Sequence, residues 1–191
     1  MAQSTTTELE GKRIAILATD GVEESELLKP RAALEAAGAQ TVLISPEKGS
    51  IQAFKHHDKS QKLDVDLDLA KADASEFDAL LLPGGALNPD ALRANPKAVA
   101  FVKAFAEAGK AIAAICHGPW LLVEADLVSG RTVTSWPSIR TDLKNAGATW
   151  VDQEVVVDHG LITSRKPADI PAFSRAAIEE FKRAPHRAAA E

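Results

Sequence analysis

Lys110-Ala111-Ile112-Ala113-Ala114-Ile115-Cys116-His117-Gly118-Pro119 decides the reading of this chain. Ala111–Ile115 is an unbroken apolar run, too short for a helix, and reads as a strand buried on both faces. Cys116 and His117 follow at once, and a helix is predicted over residues 117–125. A buried strand that breaks sharply into a helix lifts its corner residue clear of the sheet, above the positive end of the helix. That corner holds the chain's only cysteine. Lone cysteines commonly serve as small core hydrophobes. This one has small neighbours, Ala114 and Gly118, as a strained elbow requires, and a histidine beside it. Cys116 is therefore read as a nucleophile.

Outward from the elbow, strands and helices alternate. Residues 14–18 form an apolar run expected to be the first buried strand. Residues 23–37 carry Leu27, Leu28, Ala32, Leu34 and Ala37 at helical spacing and stop at Gly38. Short strands are predicted at 41–44, 77–82, 132–134, 155–157 and 161–163. Helices are predicted at 96–108, 139–146 and 170–181. The polar stretch 46–62, with Gly49 and Lys55-His56-His57-Asp58-Lys59, is expected to form turns or a small hairpin. No repeat or linker interrupts the series. The alternation implies a single α/β domain over residues 11–183, with a mostly parallel sheet covered on both faces. Residues 1–10 and 184–191 are expected to be flexible. In such a fold the ligand site lies beyond the carboxyl ends of the strands.

Composition narrows the function classes. The chain has 191 residues, 46% of them hydrophobic and 26% charged, ordinary values for a globular domain. Such a length buries roughly 70% of the surface of the unfolded chain. No apolar stretch approaches a membrane span, and no signal peptide or membrane partner is expected. A net charge of −5 with no basic stripe argues against a nucleic-acid partner. A single cysteine forms no internal disulfide and fits a reducing, cytoplasmic setting.

Three loops that follow strands carry residues capable of chemistry. They are Asp20-Gly21-Val22-Glu23-Glu24-Ser25-Glu26, Pro83-Gly84-Gly85-Ala86-Leu87-Asn88-Pro89-Asp90, and Cys116-His117. Each has a plain alternative. Glu23 and Glu24 are expected to do no more than complement a helix dipole. Gly84-Gly85 could be a tight turn. His56-His57-Asp58 resembles a metal cluster only superficially, because adjacent histidines on a polar loop seldom share a metal. His159, between Asp158 and Gly160, suits a hairpin turn.

Ala114-Ile115-Cys116-His117-Gly118-Pro119, Leu82-Pro83-Gly84-Gly85, Glu23-Glu24-Ser25-Glu26-Leu27 and Asp152-Gln153-Glu154-Val155-Val156-Val157-Asp158 together resemble the PfpI (intracellular protease I) family. That family lies in the ThiJ/PfpI superfamily, with the parkinsonism-associated deglycase and bacterial general stress proteins. The resemblance runs from about residue 12 to residue 181. It implies a flavodoxin-like three-layer sandwich, a homodimer or hexamer, and no cofactor or metal. The activities it implies are peptide hydrolysis, glyoxalase-type chemistry, repair of glycated proteins and chaperone-like protection. The partners it implies are small reactive carbonyls and glycated proteins or peptides.

By position, the resemblance makes Cys116 the nucleophile, His117 the adjacent histidine and Glu26 the glutamate against the sulfur. Gly85 and His117 would offer backbone N–H groups to an oxyanion. Asp90 would be the third triad member, supplied by a neighbouring subunit. The match there needs a one-residue insertion, and the archaeal protease has glutamate. Trp136 stands where the protease has a tyrosine near the site. A helix N-terminus and any imidazolium character on His117 are expected to lower the thiol pKa and give a thiolate at neutral pH. Glu26 is expected to keep its proton and donate a hydrogen bond to sulfur.

Two functions compete. In one, Cys116 attacks an electrophilic carbonyl while Gly85 and His117 amides hold the oxyanion and His117 moves protons. In the other, the protein is a redox sensor or holdase whose cysteine is oxidised. A glutamine amidotransferase would need a later His-x-Glu pair, and neither His159-Gly160-Leu161 nor His186-Arg187-Ala188 supplies one.

Overall fold

The computed structural model describes residues 7–183. The chain begins with β1 (Arg13–Leu17), β2 (Val22–Glu23), α1 (Glu24–Ala36), β3 (Gln40–Ser45), β4 (Ser50–Lys55), β5 (Asp58–Asp64), β6 (Leu67–Asp68) and β7 (Ala79–Leu82). It continues through α2 (Leu87–Arg93), α3 (Pro96–Glu107), β8 (Ala111–Ile115), α4 (Pro119–Glu124), β9 (Thr132–Val133), α5 (Arg140–Asn145) and β10 (Thr149–Trp150). It closes with β11 (Val155–Asp158), β12 (Leu161–Ser164) and α6 (Ile170–Arg183).

The main sheet has seven strands in the order β11-β12-β8-β7-β1-β3-β6. All its pairings are parallel except β11 with β12, the hairpin at one edge. Strand residues alternate between two cores. Ala15, Leu17, Leu80, Leu82, Ile112 and Ala114 face the layer that holds α3 and α4. Ile14, Ile16, Ala79, Leu81, Ala113 and Ile115 face the layer of α1 and α6. The covering helices carry matching stripes. In α3 these are Ala98, Phe101, Val102 and Phe105, and in α6 they are Ile170, Phe173, Ala177 and Phe181. The mostly parallel, flavodoxin-like sandwich is thus in place.

Local chemistry explains several boundaries. Asn95 caps α3 by accepting from Lys97 and Ala98 N–H, with Pro96 pre-set at the first turn. Gly38, at φ 97°, follows the end of α1 in the left-handed region.

Some expectations need correction. Residues 7–10, expected to be loose, are docked: Leu9 is fully buried and its N–H donates to Ala37 O at 2.8 Å. Residues 1–6 and 184–191 lie outside the described residues. The stretch after Gly85, expected to be a loop, contains α2. The polar stretch 46–62 does contain, as expected, most of a hairpin, β4–β5, with His56-His57 at its turn. Its strand β4 pairs in parallel with β2, making a separate small sheet in the order β2-β4-β5.

The chain leaves β1 toward β3 on one side and reaches β7 and β8 on the other. That reversal of strand order opens a crevice at the carboxyl ends of β1, β7 and β8. Loops 18–23, 83–86 and 116–118 meet there.

Candidate active site

Cys116 follows β8 with φ 63°, a left-handed conformation that costs a non-glycine residue about 1–2 kcal/mol. Three backbone bonds hold it: Cys116 N–H to Ser164 O at 3.0 Å, Trp136 N–H to Cys116 O at 2.9 Å, and Gly118 N–H to Ile115 O at 2.9 Å. A Cβ on Gly118 would lie 2.6 Å from Leu82 O, so the residue after the histidine must be glycine for the chain to turn here. The expected strained elbow is present. The cysteine is 7% exposed.

Nδ1 of His117 lies 3.2 Å from Cys116 Sγ, and its Nε2 lies 3.2 Å from Ser138 Oγ. Trp136 stacks on the imidazole with centroids 6.2 Å apart, and Trp120 meets it edge-on at 5.2 Å. Burial holds the His117 pKa below its ordinary value, so the ring is a neutral base near pH 7.

Glu26, in the first turn of α1, is fully buried beside the cysteine. Its Oε2 accepts from Gly84 N–H at 3.0 Å. Its Oε1 is buried and meets no fixed hydrogen-bond geometry among the described residues. Burial, with the Glu23 charge adding to it, pushes the carboxyl up to about 8, so it holds its proton at neutral pH as expected. The thiol does not behave as expected. Burial pushes its pKa well above the usual cysteine range, and Glu26, once ionised, adds to the rise. The Gly85 and His117 N–H groups act in the opposite sense and are outweighed. The resting form is therefore a thiol, not a thiolate.

The glycine pair does more than turn the chain. A Cβ on Gly84 would sit 2.3 Å from Glu26 Oε2 and 2.7 Å from Cys116 Cβ. Gly85 has φ 80°, and a Cβ there would meet Gly21 O at 2.4 Å. Asn88, fully buried, staples the loop: Nδ2 donates to Pro83 O and Gly84 O, each at 3.0 Å, while Oδ1 accepts from Thr19 N–H at 2.8 Å. Sequence reasoning missed Asn88, although an asparagine close after a glycine pair was a signal.

Glu23 and Glu24 also exceed the dipole role expected of them. Glu23 accepts from His56 N–H at 2.9 Å and from the Ser25 hydroxyl at 3.3 Å. Glu24 bonds the Ser60 hydroxyl and pairs with Lys55 at 3.5 Å. Both carboxylates fasten the hairpin. His56 at its turn has φ 57°.

The result is a cavity of about 460 Å³ with Glu26, Cys116, His117 and Gly85 at one end. Phe54, His56 and His57 of the hairpin line it, as do Leu87, Trp136 and Pro167. Trp136, at 39% exposure, and Leu87, at 61%, stand at its mouth. Asp90 lies on the exposed side of α2 and does not line the cavity. Among the described residues no cluster of His, Cys, Asp or Glu could hold a metal ion, and no helix is long and apolar enough to cross a membrane. Such a cavity presents a thiol, a neutral base 3.2 Å from it, and two N–H groups directed at the sulfur. That combination can add sulfur to a carbonyl carbon and receive the resulting oxyanion.

A family model described as the DJ-1/PfpI family matches residues 12–180. General stress protein 18 of Bacillus subtilis (strain 168) is 45% identical over 169 residues, 88% of this chain and 96% of that protein. Protein/nucleic acid deglycase 2 of Escherichia coli (strain K12) is 45% identical over 168 residues, 87% of this chain and 96% of that protein. The crystal structure of DJ-1beta from Drosophila melanogaster superposes with a TM-score of 0.82 at 28% identity, covering 90% of each chain.

Proposed function

This chain belongs to the DJ-1/PfpI family, and on that footing we propose that it is a stress-protective, cysteine-dependent deglycase. The observation that carries the reading is the 3.2 Å approach of His117 Nδ1 to Cys116 Sγ inside a cavity floored by a protonated Glu26. Sulfur attacks the carbonyl carbon of a glycation adduct as Nδ1 takes the thiol proton. The carbonyl electron pair moves to oxygen, where the Gly85 and His117 N–H groups receive it. Because the resting thiol keeps its proton, His117 must act as general base during attack. The sulfur needs no standing negative charge.

Cavity size favours an adduct over a free aldehyde. About 460 Å³ is several times what a three-carbon dicarbonyl fills, and falls in the range of sites for larger ligands. Glycated side chains of peptides, proteins or nucleotides suit it, with Trp136 and Phe54 flanking the apolar part. Asp90, which the resemblance makes the third triad member, would act only from a second copy, so the reading includes a cytoplasmic homodimer. The test is turnover of methylglyoxal-modified N-acetylarginine set beside turnover of free methylglyoxal. The adduct should be the better substrate, and Cys116→Ala should abolish the activity. Undiminished turnover of both substrates in that variant would refute the assignment.

One observation favours a second reading. The buried Glu26 carboxyl against the sulfur would also stabilise an oxidised sulfinate. Intact-mass spectrometry after mild peroxide tests it. Two added oxygens, absent from Cys116→Ala, would support redox sensing.

A further inference from the structure

We infer that Ser138 is the positioning residue for His117, so that one chain carries a complete Cys116–His117–Ser138 relay. The inference rests on the proposed cysteine chemistry and adds a residue that neither the resemblance nor the elbow motif assigns.

The imidazole is held at both nitrogens. Nδ1 lies 3.2 Å from the sulfur and Nε2 lies 3.2 Å from Ser138 Oγ. Trp136 and Trp120 flank the ring and fix its plane. Ser138 sits on a single 3-10 turn, Pro137–Ile139, that is tied down at both ends. Trp136 N–H donates to Cys116 O at 2.9 Å, joining the turn to the elbow, and Ile139 is buried in the core. Pro137 fixes the first φ of the turn. The hydroxyl is therefore presented by a braced segment, not by a loose loop.

A neutral imidazole has one N–H and one lone pair. The protonated thiol needs an acceptor, and Nδ1 is the nitrogen facing it. The N–H then belongs to Nε2 and donates to Ser138 Oγ, whose own hydrogen turns to solvent on the exposed side. When sulfur attacks, its proton passes to Nδ1 and the ring becomes imidazolium. The Nε2–H bond to Ser138 strengthens as that charge forms. The resemblance gives the orienting task to Asp90 of a second copy, whereas Ser138 performs it within the chain.

The test uses Ser138→Ala, Ser138→Thr and Ser138→Asp in the full protein. Two readouts are followed against pH: alkylation of Cys116 by iodoacetamide, which needs no substrate, and turnover of the glycated arginine. Ser138→Ala should slow both about fivefold near neutral pH with the unfolding midpoint unchanged, the worth of one neutral hydrogen bond. Ser138→Thr, which keeps a hydroxyl, should restore them. Ser138→Asp should move the acid limb of the alkylation profile up by about one unit, because a carboxylate favours imidazolium. An unmoved limb in Ser138→Asp, or Ser138→Thr as slow as Ser138→Ala, would overturn the inference. So would an acid limb that moves in Asp90→Asn instead. If no variant or wild-type protein turns over glycated arginine while the alkylation pattern holds, the deglycase reading fails and the positioning role stands.

Discussion

Nδ1 of His117 stands 3.2 Å from the sulfur of Cys116, its immediate neighbour in the chain. In extended backbone successive side chains point to opposite faces. The left-handed φ of 63° at Cys116 breaks that alternation and brings the two together. Backbone strain is therefore what makes a thiol and its base from adjacent residues.

Alkylation of Cys116 should follow a pKa above the ordinary cysteine range. Burial is the first cause and Glu26 the second. Glu26→Gln removes the second cause only, so the apparent thiol pKa should fall by about one unit and alkylation at pH 8 should quicken several-fold. Glu23→Gln should do less, since Glu23 acts on the sulfur only through Glu26. Stopped-flow alkylation across pH 6–10, in buffers spanning roughly that range, measures all three proteins.

Stability should decline with pH through the titration of Glu26. Its carboxyl rises from 4.5 to about 8 on folding, so the folded state binds the proton more tightly. The contribution is complete below the unfolded pKa and is lost as pH rises toward about 8. Urea unfolding of the wild type should weaken by a few kcal/mol, to order of magnitude, across that window. Glu26→Gln, which cannot ionise, should show a much flatter dependence. Parallel curves for the two proteins would contradict the assignment.

Gly84→Ala should damage both fold and chemistry without any φ penalty. Its Cβ would lie 2.3 Å from Glu26 Oε2 and 2.7 Å from Cys116 Cβ. Overpacking of that kind costs about 1–3 kcal/mol. Gly49→Ala is the matched control: nothing lies within 4 Å, and only the left-handed backbone at φ 81° is strained. Thermal unfolding and alkylation rate should both change in the first variant. In the second, only unfolding should move.

Glu23→Ala should loosen the cavity wall more than the thiol. It removes the acceptor for His56 N–H and the Ser25 hydroxyl, freeing a turn that already holds His56 at φ 57°. We expect KM for the glycated arginine to rise by about tenfold while kcat falls by no more than about threefold. A fall confined to kcat would place Glu23 with the reacting groups instead.

Much of the fold was legible because its signals are local. Residues 14–18 and Ala111–Ile115 are continuous apolar runs, and the Phe and Ala positions of α3 and α6 recur at helical spacing. The short strands β2, β6 and β10 carry only two residues each and announce nothing. Helix α2 was hidden by Asn88, Pro89 and Asp90, residues that elsewhere make turns. Within the site, the elbow residues could be read directly, and resemblance supplied Glu26. The raised thiol pKa could not be read, because it depends on how much chain closes over the sulfur. Ser138 was equally invisible, and so was the place of the His56-His57 turn on the cavity wall. Each reaches the cavity through long-range pairing, of the Trp136 segment with the elbow and of β4 with β2.

That β2-β4-β5 sheet also bears on how this protein could diversify. It shares no strand with the seven-stranded sheet, yet its turn forms one wall of the cavity. Phe54, His56 and His57 can be rewritten without touching any residue that seats the sulfur, the imidazole or the buried carboxyl. Natural variation, or a library confined to those three codons, would therefore alter which adducts are accepted while inheriting the same reactive centre. The scaffold separates what is recognised from what is done to it.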